Sequence, residues 1–82
     1  MSRARSYSVQ VGSFQNLEAA QRMLKELKQQ GFSPFIAPVH LSEGGTWYRV
    51  RIGNSLARND AEKIAEEIRK KGGFQPLVVT VK

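Results

Sequence analysis

From Trp47 to Gly53 the chain reads Trp-Tyr-Arg-Val-Arg-Ile-Gly, the period-two alternation of a strand with one buried face. Tyr48, Val50 and Ile52 point to one side, and Trp47, Arg49 and Arg51 to the other. The pattern occurs once earlier, over 6–12, where Tyr7, Val9 and Val11 face inward and Ser8 and Gln10 outward. Two further stretches carry apolar residues at helical spacing: Ala20, Met23, Leu24 and Leu27 over about 17–30, and Ala61, Ile64, Ala65 and Ile68 from Asn59 onward. The apolar runs 34–41 and 77–81 complete the set as strands. Pro34 and Pro38 cannot donate to a ladder, which places the first of these runs at a sheet edge.

The punctuation agrees with those elements. Asn16 suits the N-cap of the first helix, and Gly31 its left-handed end, with Phe32 folding back on the last turn. Ser42 to Thr46, with its two glycines, is a hairpin connection. Asn54 to Arg58 reads as a loop, and Asn59 with Glu62 three residues on as a capping box. Glu66 with Lys70 and Glu67 with Lys71 stand at i, i+4 on the second helix, a solvated charged face. Gly72 and Gly73 end that helix.

The two halves repeat. Tyr7 to Gly12 matches Tyr48 to Gly53, and at the same offset the helical stripes and Gly31 and Gly72 match. After the extra Gly73, Phe32 pairs with Phe74 and Pro34 with Pro76. Each half reads strand, helix, strand, and two halves are too few for a solenoid. With right-handed crossovers the order βαββαβ closes into an α+β, ferredoxin-like sandwich, a four-stranded antiparallel sheet with both helices on one face. The first and third strands are then central neighbours. Gln10, Trp47, Arg49 and Arg51 share the uncovered face, with Ile36 and Val78 towards its edges. The repeat register sends Leu77, Val79 and Val81 to the core.

A chain of 82 residues is one domain, expected over 6–82 behind a flexible tail at 1–5. The abrupt start ahead of the first strand points to a domain of a longer protein. Cysteine is absent, so disulfides and thiolate metal sites are excluded. No apolar run approaches the roughly 18 residues of a membrane span. The formal net charge of +6 favours an anionic partner.

Catalysis finds little support. His40, the one histidine, stands on the edge strand beside Pro38 as an exposed polar residue. Ser13 has no accompanying His/Asp constellation, and Val-Gly-Ser-Phe is not a nucleophile elbow. Six of the seven acids, all but Glu43, fall on the helices, away from the open face. No cofactor or metal is implied. Binding is better supplied, because an indole offers a rigid stacking surface and two guanidinium groups offer forks to carboxylate or phosphate. Gln10 and Ser13 both donate and accept, which suits hydroxyls and N-acetyl groups.

The two Tyr-x-Val-x-[Val/Ile]-Gly strands, the Val9-Gln-Val-Gly-Ser-Phe14 run, the amphipathic helices and the Trp47 to Gly53 block together resemble the SPOR domain (sporulation-related repeat) over residues 6–82. The resemblance implies a non-catalytic module for bacterial peptidoglycan, preferring glycan strands stripped of stem peptides. Such a module recruits its parent protein, in some cases a cell-wall hydrolase, to the division septum, and so belongs in the periplasm or cell envelope. Residue by residue, the family's glycan-contacting positions fall on Gln10, Ser13, Trp47, Arg49 and Val78, to which strand phase adds Arg51. Asn54 departs from the family's frequent proline and leaves that loop's conformation open. A monomer is expected. The alternatives are single-stranded nucleic acid on the same face and a small-molecule regulatory domain. The third strand lacks the RNA-recognition signature, and the first has no outward aromatic, so no nucleic acid is expected.

Overall fold

A computed structural model describes residues 6–81; the expected tail at 1–5 lies outside them. The chain forms β1 (Ser6–Phe14), α1 (Leu17–Gln29), β2 (Pro34–Leu41), β3 (Gly45–Leu56), α2 (Arg58–Lys71) and β4 (Leu77–Val81). The strands make one antiparallel sheet in the order β2-β3-β1-β4, so β1 and β3 are central and β2 lies at an edge, as the two prolines require. The Cα atoms extend only 16 Å in the thinnest direction, which is one sheet and one helical layer. Val9, Val11, Val50 and Ile52 of the sheet meet Ala20 and Leu27 of α1 and Ala61, Ala65 and Ile68 of α2 in a single core.

Helix α1 is bounded as its sequence predicts. Asn16 accepts the backbone N–H of Ala19 at 3.1 Å. At the other end Gly31, at φ +95°, donates to Lys28, and Phe32 donates to Leu27, satisfying carbonyls that the helix leaves open. Helix α2 differs from expectation. It begins at Arg58 with Ala57 as a cap that offers no side chain, so the Asn59 capping box does not form. Strand β3 runs on to Leu56, leaving one residue before the helix, and Asn59 is already inside the first turn. Glu62 turns instead to Arg58 (3.3 Å), and Glu66 to Arg69 (3.4 Å) rather than to Lys70. Both pairs are exposed and each adds a few tenths of a kcal/mol at most.

Two irregularities set the phase of β1 against β3. Gln10 stands opposite Arg51 and Gly12 opposite Val50, so Val11 is an extra residue with no partner. Beyond this bulge Ser13 falls opposite Arg49 and Phe14 opposite Tyr48. Simple alternation would have sent Ser13 to the helix side with Val11; the bulge sends it to the open face. Gly12 now faces α1, where a Cβ would come within 2.6 Å of the Met23 sulfur. At the other end Gly53, Asn54 and Ser55 stand opposite the single residue Ser8. Gly53 takes φ +73° there. The two glycines of the sequence repeat therefore serve different ends, one close packing and one a backbone turn.

Ser8 is fully buried, although its phase is that of the open face. Its hydroxyl donates to the carbonyl of Gly53, in the β3 irregularity, and at 3.4 Å to that of Ile52 beside it. Ser8→Ala leaves these acceptors short of a donor and is expected to lower unfolding free energy by about 1–3 kcal/mol in urea denaturation. A change below a few tenths would show that solvent replaces the hydroxyl.

The phases of β2 and β4 are the reverse of those the repeat register suggested. Pro34, Ile36 and Pro38 stand opposite Ile52, Val50 and Tyr48, so Ile36 faces the core. Val78 stands opposite Val9 and packs on the core, while Leu77, Val79 and Val81 stand opposite Gln10, Ser8 and Ser6. The repeat relation itself holds, since Ile36 and Val78 are equivalent and share one fate. Both strands enter through a buried proline, Pro34 or Pro76, and that inward turn fixes which side the next alternate residues take.

Candidate functional site

The face of the sheet away from the helices is built in rows across the strands. Phe35, Arg51, Gln10 and Leu77 form one row, Ala37, Arg49 and Ser13 the next, and Val39 and Trp47 a third beside the β2–β3 turn. Of the residues that sequence singled out, Gln10, Ser13, Trp47, Arg49 and Arg51 are thus brought together. Val78 is not; it lies on the helix side, and Leu77 and Val79 occupy the open face of β4 in its stead. Strand β4 ends its pairing at Gln10, so Ser13 has no neighbour on that flank.

Trp47 is half-buried and is not part of the core beneath the helices. Its indole nitrogen lies beside the turn, 3.7 Å from where a Cβ on Gly44 would stand. The side-chain amide of Gln15 also donates to the Gly44 carbonyl, at 3.1 Å. The indole therefore sits beside the turn, at one end of the open face.

The two arginines are the electrostatic centre. Both extend from β3, two residues apart and on the same side, and both are half-buried. Among the described residues neither has a carboxylate partner; the ion pairs there are all on α2. Arg51 Nε donates to Gln10 Oε1 at 3.2 Å, which ties the guanidinium to β1. Arg49 Nε is buried and has no hydrogen-bond partner among the described residues. Burial and, secondly, the nearby charge of Arg49 lower the pKa of Arg51 from its ordinary value. An arginine nevertheless stays charged in proteins, so the face carries two crowded, partly desolvated cations. An anion laid across them relieves that cost.

Sequence reasoning missed Phe35, Ala37 and Val39, which flank the arginines on β2. The hairpin carries the signal that places them: with Leu41 opposite Gly45, every β2 residue takes the side of its β3 partner. Once Trp47 faces outward, Val39, Ala37 and Phe35 follow.

Other surfaces offer less. His40, exposed at the edge, shares a 2.8 Å hydrogen bond with Thr46. A groove of about 570 Å³ between α2 and β4 is lined by Tyr7, Val78 and Thr80, with Arg58, Glu62, Glu66 and Arg69 on its helix wall. Those four charges are already paired with one another, and no catalytic or ligating set accompanies them. Among the described residues no three His, Cys, Asp or Glu side chains gather as a metal site, and no helix is long and apolar enough to cross a membrane.

The family model described as SPOR domain matches residues 4–80. No curated protein and no solved structure matches the chain.

Proposed function

The chain belongs to the SPOR domain family, peptidoglycan-binding modules of bacterial cell-envelope and division proteins, and from that premise we propose that it recognises glycan strands lacking stem peptides. In this reading a monomer binds them on the open face and carries its parent protein to the division septum, on the periplasmic side of the envelope. SPOR is a binding domain, and no enzymatic activity is indicated for this one.

The observation that carries the preference is the pair of arginines without carboxylate partners among the described residues, Arg49 with a buried Nε unpaired there, beside an indole. Removing a stem peptide frees the lactyl carboxylate of N-acetylmuramic acid, which supplies the missing anion. It also removes the bulk that holds sugar rings away from Trp47. Gln10, and Ser13 on the flank where β4 has ended, are placed for hydroxyl and N-acetyl groups.

The test is retention on isolated sacculi before and after amidase digestion, set against binding to single-stranded RNA. Retention that rises with digestion, without comparable RNA binding, supports the reading. Equal retention, or tighter binding to RNA, overturns it. Arg49→Ala is expected to weaken binding about tenfold or more at low salt. Because the lost term is ionic, the gap between variant and wild type narrows as salt rises. Titrations at two ionic strengths check this, and a salt-independent gap would assign Arg49 a packing role.

A further inference from the structure

We propose that Phe35 is a second stacking platform for the glycan, so that the ligand runs along β2 and β3 from Trp47 to Phe35 across the two arginines. This rests on the reading above and extends it to a residue for which sequence phase gave no role. Phe35 lies opposite Arg51 on the uncovered side of the sheet and is not among the apolar residues packed on the core. With Ala37 and Val39 it forms an apolar strip on a face that no helix covers. Folding does not call for an aromatic there, since the inward side of the same strand is supplied by Pro34 and Ile36.

The spacing sets the kind of ligand. Trp47 and Arg51 are four residues apart on β3, about 14 Å along the strand. That exceeds one disaccharide unit, so a short fragment reaches one ring only. A longer strand lies on both rings, with Arg49 between them and Arg51 beside Phe35 for its carboxylates. The occupant is thus a polyanionic sugar chain, matched by charge to the two cations and by its apolar ring faces to Trp47 and Phe35.

The probes are purified denuded peptidoglycan oligosaccharides of increasing length, titrated against wild type, Phe35→Ala, Phe35→Leu, Phe35→Tyr and Trp47→Ala. Phe35→Ala is expected to weaken long strands about tenfold and a disaccharide, which can rest on Trp47 instead, by much less. Phe35→Tyr restores most of the loss, whereas Phe35→Leu, apolar but without a ring, does not. Thermal unfolding of the same variants separates lost contact from lost fold, and Phe35→Leu preserves apolar bulk on the face. If wild type binds and Trp47→Ala fails while Phe35→Ala binds long strands like wild type, the second platform is overturned and the face keeps its function. Wild-type binding of long strands by Phe35→Leu likewise overturns it. If wild type binds no oligosaccharide, both readings fall.

Discussion

Trp47→Ala is expected to lose retention on amidase-treated sacculi, with affinity down at least thirtyfold, or about 2 kcal/mol or more. Its ring is the largest flat surface on the open face, and a rigid ring stacks at little entropic cost. The indole contributes nothing to the core cluster. The variant should therefore unfold within a few degrees of wild type, and the pair of measurements separates binding from folding. Wild-type retention in a folded Trp47→Ala protein would remove the indole from the site.

Leu27→Ala has the opposite signature. Leu27 is fully buried in the last turn of α1, and Ile68 takes the equivalent place in α2. Truncation leaves a cavity between two layers that have little freedom to collapse, at a cost of about 3 kcal/mol. For a domain of this size that lowers the unfolding midpoint by roughly 10–20 °C. Thermal denaturation followed by circular dichroism checks it. Binding per folded molecule should be unchanged at a temperature where both proteins are folded. A fall of only a degree or two would mean that the helices repack around the gap.

The central strands were legible because each carries a polar face against an apolar one. Tyr48, Val50 and Ile52 against Trp47, Arg49 and Arg51 leave one choice of phase, and that choice put the indole and both guanidinium groups on the open side. The element order followed from the same pattern and two helical stripes. The outer strands carry no such contrast. Phe35 beside Ile36, and Val78 beside Val79, are apolar on both sides, so alternation is silent about which of each pair is covered. There the buried prolines and the hairpin register decide, and both are tertiary facts.

Bulges were illegible for a different reason. An extra residue at Val11 leaves no compositional mark, yet it alone turns Ser13 to the side of Arg49. Ser8 shows the same limit. Its outward phase suggested a surface hydroxyl, whereas the displaced backbone of Gly53 to Ser55 buries it as a donor. Asn59 failed as a cap because β3 runs through the segment that composition marks as a loop. At Val11 and Ser8 the register of β1 against β3 overrode the local pattern, and at Asn59 the length of the preceding strand did.

Backbone amide shifts recorded while a denuded glycan oligosaccharide is titrated into the labelled protein locate the contact surface most directly. The largest changes should fall on Gln10, Ser13, Trp47, Arg49 and Arg51, extending to Phe35 with longer strands, while the outer faces of α1 and α2 stay still. Changes centred on the groove between α2 and β4, with the arginine rows unmoved, would contradict a ligand on the open sheet.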